Sequence, residues 1–201
     1  MRLHILRCGR IRVSETVPYG NRIDLGNTRR QLFAPERDRV ELPVFCYLIE
    51  HPRGPVLVDT GWCRAISPAG VFDARAVGQV LPAHLAAFYR PMLPAGEAIC
   101  EQLAAFGLRP EDLNCVVLTH LDPDHVAGLR DLRGGGRFVL LAADAAFSPR
   151  NWREEITPGF GFGRDWQLRS LRWLREMEQD PGCAGILCSH DPDVSPGTIE
   201  F

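Results

Sequence analysis

Six consecutive residues, His120-Leu121-Asp122-Pro123-Asp124-His125, place four side chains able to bind a metal within one short stretch. They follow directly on the apolar run at residues 115–118, and a strand end that passes into a loop and then a helix can turn several side chains toward one point. Imidazole and carboxylate together suit zinc, iron or manganese, and the carboxylates favour the harder ions. The chain has only six histidines, so two of them here form a concentration. His190, with Asp191 after it, ends a second apolar run, and Asp59-Thr60-Gly61 ends a third. A plain structural reading fits the same letters. Asp122 can cap a helix whose first residue is Pro123, and Asp124 suits a helix N-terminus by charge alone. On the residues alone both readings stand. His4, His51 and His84 lack such a setting and are read as structural.

The elements that must position these groups are marked by periodicity and by turn residues. Residues 1–13 read as strands around a turn at Gly9, and the polar stretch 14–40, rich in Arg and Asn, as a surface excursion. Residues 43–49 and 55–59 form a hairpin turned by His51-Pro52-Arg53-Gly54. The Pro-, Gly- and Ala-containing stretch 64–94 has room for short helices. A helix is predicted over 97–106 from the spacing of Ile99, Leu103 and Phe106, with Gly107 as its stop. Residues 115–118 and 137–141 read as short buried strands, the second entered from Gly134-Gly135-Gly136. Residues 165–179 make the strongest helix, with Leu171, Leu174, Met177, Trp166 and Trp173 on its apolar face, and 185–188 the last strand. Strands alternating with helices predict an α/β layered fold, a single domain over residues 1–201.

Composition excludes several functions. The chain of 201 residues is 45% hydrophobic and 24% charged, enough for one buried core. Its formal net charge of −2 argues against a protein that coats nucleic acid or an anionic membrane. All 23 basic residues are arginine, which removes lysine Schiff-base chemistry, a Walker-type phosphate loop and a kinase-type catalytic lysine. No Gly-x-Ser-x-Gly elbow is present. Seven widely spaced cysteines without a Cys-x-x-Cys pair read as small buried residues in a reducing, cytoplasmic setting. The opening residues read as a strand rather than a signal peptide, and no apolar run is long enough to span a bilayer. Residues 159–163, Gly-Phe-Gly-Phe-Gly, read as a loop whose phenylalanines cover an apolar pocket.

Four motifs, in order, resemble the metallo-β-lactamase-fold hydrolases. His-Leu-Asp-Pro-Asp-His after "VVLT" is similar to their His-x-His-x-Asp-His signature, with Asp122 at the second histidine. "PVFCYLIEHPRGPVLVDTGW" resembles the opening hairpin and its Asp-Thr-Gly turn. "FVLLAADAAF" resembles the strand that delivers a metal-bridging aspartate, here Asp144, and "GILCSHDPD" the last ligand strand, with His190. The segments "LHILRCGRIRV" and "SHDP" are most similar to the N-acyl homoserine lactonase-like branch. The resemblance implies an αββα sandwich with an abbreviated second half. It implies two divalent transition metal ions, zinc first, with iron or manganese as alternatives. His120 and Asp122 would serve the first ion and Asp124, His125 and His190 the second, with Asp144 bridging and Asp59 orienting ligands. The implied chemistry is attack of a metal-bound hydroxide on a lactone or ester of a small acylated substrate, with Asp124 or Asp144 passing the proton to the leaving alkoxide.

Three departures bear on activity. Only 18 residues separate His125 from Asp144, and none is the histidine the family carries there. Asp122 exchanges an imidazole for a carboxylate, which shifts preference from zinc toward iron or manganese, or leaves one site filled. The branch's tyrosine three residues after the bridging aspartate is Phe147, which keeps the ring as a substrate contact and loses the hydroxyl. Losing one such donor lowers rates by about tenfold to a thousandfold. Two alternatives therefore stay open: a degenerate member that binds metal or ligand without turnover, and a thioesterase or phosphodiesterase of the same fold. Missing strands would also leave a sheet edge open, and a homodimer across that edge is the corresponding expectation.

Overall fold

The computed structural model describes residues 1–19, 34–132, 138–143, 145–159, 164–188 and 190–194. Among them, six strands form one sheet in chain order: β1 (Arg2–Ser14), β2 (Arg39–Glu50), β3 (Val56–Val58), β4 (Cys115–Leu118), β5 (Phe138–Ala143) and β6 (Cys183–Cys188). The first three run antiparallel, and β3 to β6 run parallel. Parallel neighbours need crossover connections. α1 (Thr16–Tyr19) lies between the antiparallel β1 and β2, and the crossovers carry α2 (Ala74–Val80), α3 (Ala83–Tyr89), α4 (Ile99–Ala105), α5 (Pro123–Val126), α6 (Pro149–Arg153) and α7 (Arg164–Glu178). Because β3 to β6 are parallel, their C-terminal ends share one edge of the sheet, and all three polar clusters follow those ends.

The turn expected at Gly9 is a bulge within one continuous strand. The β1–β2 register shifts between Arg7 and Arg10. Gly9 sits at φ 104°, and a Cβ there would lie 2.7 Å from Trp62 Cδ1 and 2.8 Å from the Met92 carbonyl oxygen. Only glycine lets these groups approach so closely. The described parts of the 14–40 excursion are α1 and a short 3₁₀ turn at Glu36–Asp38, after which β2 begins earlier than expected. Arg39 anchors that start. Its buried guanidinium donates to the carbonyls of Ala34, Arg12 and Phe88.

One face of the sheet holds the main core. Leu6, Cys46, Leu48, Leu57, Leu118 and Leu140 pack against Ile99 and Leu103 of α4 and Leu171 and Leu174 of α7. That is the apolar face the spacing of residues 165–179 predicted. A smaller cluster gathers Val44, Trp62, Ile66, Val77 and Leu93. The mixed fold agrees with the expected class, and its second sheet is not among the described residues. All seven cysteines are free. Cys8, Cys46 and Cys63 are buried as expected, whereas the other four are half-buried. No helix among the described residues is long and apolar enough to cross a membrane. Residues 134–136 and 160–163, read from sequence as a strand entry and a pocket cover, lie outside the described residues.

Candidate metal centre

The site is built outward from the end of β3. The Asp59 N–H donates to the Val117 carbonyl of β4 at 2.8 Å. Asp59 then takes a left-handed conformation, φ 59°, which aspartate tolerates better than most residues. This turns its buried carboxylate back over the end of β4. There it accepts the Thr119 N–H at 2.8 Å, the Thr119 hydroxyl at 2.8 Å, and His125 Nδ1 at 2.9 Å.

The next residues lock the loop that follows β4 onto the loop that follows β3. The Thr60 N–H and hydroxyl both donate to the His125 carbonyl at 2.9 Å. The Gly128 N–H donates to the Gly61 carbonyl at 2.8 Å. A Cβ on Gly128 would lie 2.1 Å from the Thr60 carbonyl oxygen, and one on Gly61 2.3 Å from Cys8 Cβ. Both glycines are therefore required by close approach.

The two imidazoles are oriented through their inner nitrogens. His125 donates its Nδ1 proton to Asp59, which leaves Nε2 as a lone pair facing Asp124 at 3.5 Å. The Thr119 hydroxyl spends its proton on Asp59, so its oxygen accepts the His120 Nδ1 proton at 2.9 Å. His120 Nε2 is left facing Asp122 at 3.7 Å. The rings lie 4.0 Å apart, centroid to centroid.

The carboxylates bear on the two readings that the residues alone left open. Asp122 occupies the N-cap position ahead of Pro123, yet its side chain caps nothing. Only its carbonyl takes part, accepting the His125 and Val126 N–H groups. Its carboxylate faces His120 and lies close enough to Tyr89 of α3 to raise that phenol. Asp124 is 5% exposed, and its Oδ1 is buried with no hydrogen-bond partner among the described residues. Native proteins rarely leave such an atom unsatisfied.

Electrostatics point the same way. Burial pushes the Asp59 carboxyl up, but the His125 and Thr119 hydrogen bonds outweigh it and hold it below the usual range. Burial pushes His125 down, and the Asp59 hydrogen bond with Asp124 and Asp122 nearby reverses this, so the imidazole sits above its ordinary value. Asp124 is raised by burial. Burial, followed by Asp122 and Asp124, raises the Tyr89 phenol. Three carboxylates around two imidazoles make a pocket set up for positive charge. Two outward lone pairs, the unsatisfied Asp124 Oδ1 and the Asp122 carboxylate are of the donor types that a divalent transition metal takes.

His190 follows β6, and its ring stacks on Phe147 at 5.2 Å and 28°. The Phe147 N–H is held by Asn151 Oδ1 at 3.0 Å. Asp144, the expected bridging ligand, lies outside the described residues. Among the described residues no three His, Cys, Asp or Glu side chains are grouped so as to hold a metal ion. Tyr89 was not anticipated. It arrives from a helix distant in sequence, and nothing in its neighbours marks it. Thr119 could have been noticed beside His120. Of the remaining histidines, His4 pairs with Glu50 at 3.1 Å and packs on Phe106, His51 accepts the Arg53 N–H, and His84 Nε2 lies 3.4 Å from the Arg169 guanidinium.

Comparisons with known proteins give the family and the fold. Residues 39–139 match the family model described as the metallo-beta-lactamase superfamily. An N-acyl homoserine lactonase from Bacillus sp. is 38% identical over 163 residues, 79% of this chain and 57% of the relative. One from Bacillus thuringiensis is 36% identical over 91 residues, 44% of this chain and 33% of the relative. The chain thus spans 57% or less of the length of these relatives. A solved N-acyl homoserine lactone hydrolase, with N-hexanoyl-L-homoserine at its catalytic metal center, shares the fold at a TM-score of 0.51 and 17% identity, over 95% of this chain and 93% of that one. With the family model running from β2 into β5, across the Asp59 turn and the His120–His125 loop, this chain belongs to the metallo-beta-lactamase superfamily.

Proposed function

We propose that this chain is a metal-dependent hydrolase that opens a lactone or ester bond of a small acylated substrate. The observation that carries the reading is the Asp59–His125 pair. It holds the imidazole by Nδ1 and presents Nε2 beside a buried, unsatisfied Asp124 oxygen. Such a carboxylate–histidine arrangement fixes the tautomer a metal ligand needs. A divalent transition metal bound there supplies Lewis acidity toward a carbonyl and toward water. His120, Asp122, Asp124 and His125 would hold it, with Asp144 and His190 completing the donor set. Zinc is the first candidate, and the three carboxylates Asp122, Asp124 and Asp144 make iron or manganese the alternatives. A carboxylate oxygen of Asp124 or Asp144 that the metal does not engage would take a proton released at the site and return it to the leaving alkoxide.

The relatives named above are N-acyl homoserine lactonases, so N-acyl homoserine lactones are the first substrates to try, and a quorum-quenching role in the cytoplasm follows from that reading. The test is hydrolysis of N-hexanoyl homoserine lactone by the chelated protein and by the protein reloaded with zinc, iron or manganese. Turnover restored by metal and absent in His125→Ala supports the proposal. Equal turnover in His125→Ala contradicts it. A second reading, metal binding without turnover, is favoured by Phe147, which offers His190 a ring and no hydroxyl. Metal uptake with no hydrolysis across lactones, esters, thioesters and phosphodiesters would select it.

A further inference from the structure

A cleft of about 1090 Å³ is lined by residues of α3, of α7 and of the segment that follows β4. That is the scale of a small-molecule site. Arg169, Trp173 and Met177 recur at intervals of four, so they form one stripe along α7, about 12 Å long. Leu85, Leu121 and Leu129 add apolar wall. Trp173, Met177, Leu121 and Leu129 pack on the main core yet are only half-buried, so each keeps apolar surface in reach of a ligand. Leu121 and Pro123, which flank Asp122, line the cleft, and none of the described candidate metal donors does.

Charge along the cleft is uneven. Arg169 stands at one end of the α7 stripe, and the acidic residues that line the cleft, Glu176 and Asp180, stand two or more helical turns further along the chain. Arg130 is a second guanidinium on the lining. Elsewhere on the surface arginines are held by carboxylates, as Arg153 is by Glu178 and Arg172 by Glu155. Among the described residues neither Arg130 nor Arg169 is in an ion pair, and the contact that Arg169 makes is with His84 Nε2.

We propose that this cleft binds one long-chain fatty acid as its carboxylate, with the head on Arg169 and the chain laid along α7 over Trp173 and Met177. The order of the stripe, cation first and apolar residues after it, matches the order of the ligand. A carboxylate accepts well from a guanidinium that has no carboxylate of its own. The acidic far end repels the head and so sets the direction of the chain. An extended chain of about twelve carbons reaches from Arg169 past Met177, toward Pro181 and Gly182, which also line the cleft. The bound chain lies against the donor loop through Leu121 and Pro123, but it requires no metal.

The test is calorimetric titration of the full, chelated chain with dodecanoate, with butanoate and dodecyltrimethylammonium as comparators that remove the chain or reverse the head charge. The proposal expects one dodecanoate per chain with a dissociation constant of about 100 µM or tighter, and at least tenfold weaker binding of both comparators. Arg169→Gln should weaken dodecanoate about tenfold. Leu85→Trp, which adds bulk to the wall, should abolish binding. Arg53→Gln, in the exposed turn before β3, is the control and should bind as the unsubstituted protein does. Hydrogen exchange on the unsubstituted protein gives a readout that does not depend on the variants folding, and dodecanoate should slow exchange at residues 121–130 and 169–177. No binding, several equivalents per chain, equal binding of the cationic amphiphile, undiminished affinity in Arg169→Gln, or exchange unchanged by dodecanoate would each overturn it.

Discussion

Asp59 and His190 stand at strand ends on the same edge of the sheet, but they are held very differently. At the β3–β4 end, Asp59 is buried under hydrogen bonds from Thr119 and His125, and Thr60 and Gly128 lock the two loops together. At the β5–β6 end, β6 is an outer strand, half-buried along its length, and His190 stacks on Phe147 at its exposed terminus. The Asp59–His125 half of the candidate centre is organised by hydrogen bonds within the protein. Metal ligands are commonly fixed by such a surrounding shell, and where the shell is thin the ion itself supplies part of the ordering. The lesson is that substitutions at the first half should disturb fold and metal binding together. Changes at the second half should alter chemistry while the fold stays intact.

The strongest way to break this comparison is Gly128→Ala. The new Cβ would meet the Thr60 backbone oxygen, which has no rotamer to escape through. Destabilisation of about 3 kcal/mol is expected, read from denaturant melts. An unchanged melt would show that the two loops are not locked. Next comes Asp59→Asn, which removes the charge and one acceptor from the oxygen pair that holds Thr119 and His125. Metal affinity should fall by about tenfold to a hundredfold, measured by competition with a chelating dye. At the other end, Phe147→Tyr restores a hydroxyl beside His190. It should raise lactone turnover about tenfold and leave the melting temperature in place.

The smallest effect belongs to pH, away from the centre. Burial raises the Glu101 carboxyl, but the Arg64 guanidinium and the Ala98 N–H more than reverse this and hold it below its ordinary 4.5. A carboxyl depressed in the folded state adds stability above its unfolded value and loses it as pH falls through the folded one. Arg64→Ala should therefore lower the melting temperature at neutral pH by more than it does in acid. Because Glu101 is well exposed, the difference is modest.

Much of the positioning frame was legible because it depends on local pattern. The hairpin of β2 and β3, the limits of β4 and the apolar face of α7 follow from alternation, turn residues and helical spacing. What was not legible was decided by distant groups. A glycine inside a strand reads equally as a turn or a bulge, and Trp62 and Met92, far along the chain, decide for the bulge at Gly9. The letters Asp122-Pro123 suit a helix cap, but His120 and Tyr89 engage the carboxylate instead. The short helix α6 lacks any apolar period, and only Ser148-Pro149 hints at it. The donor loop itself was visible from residue types, whereas the support it receives from Thr60 and Gly128 required the fold.

The most direct test of the central claim is metal content per chain by elemental mass spectrometry, on the unsubstituted protein and His125→Ala purified side by side without chelator. The account predicts at least one equivalent of a divalent transition metal in the first and a clear loss in the second. Equal metal in both proteins, or none in either, would contradict it.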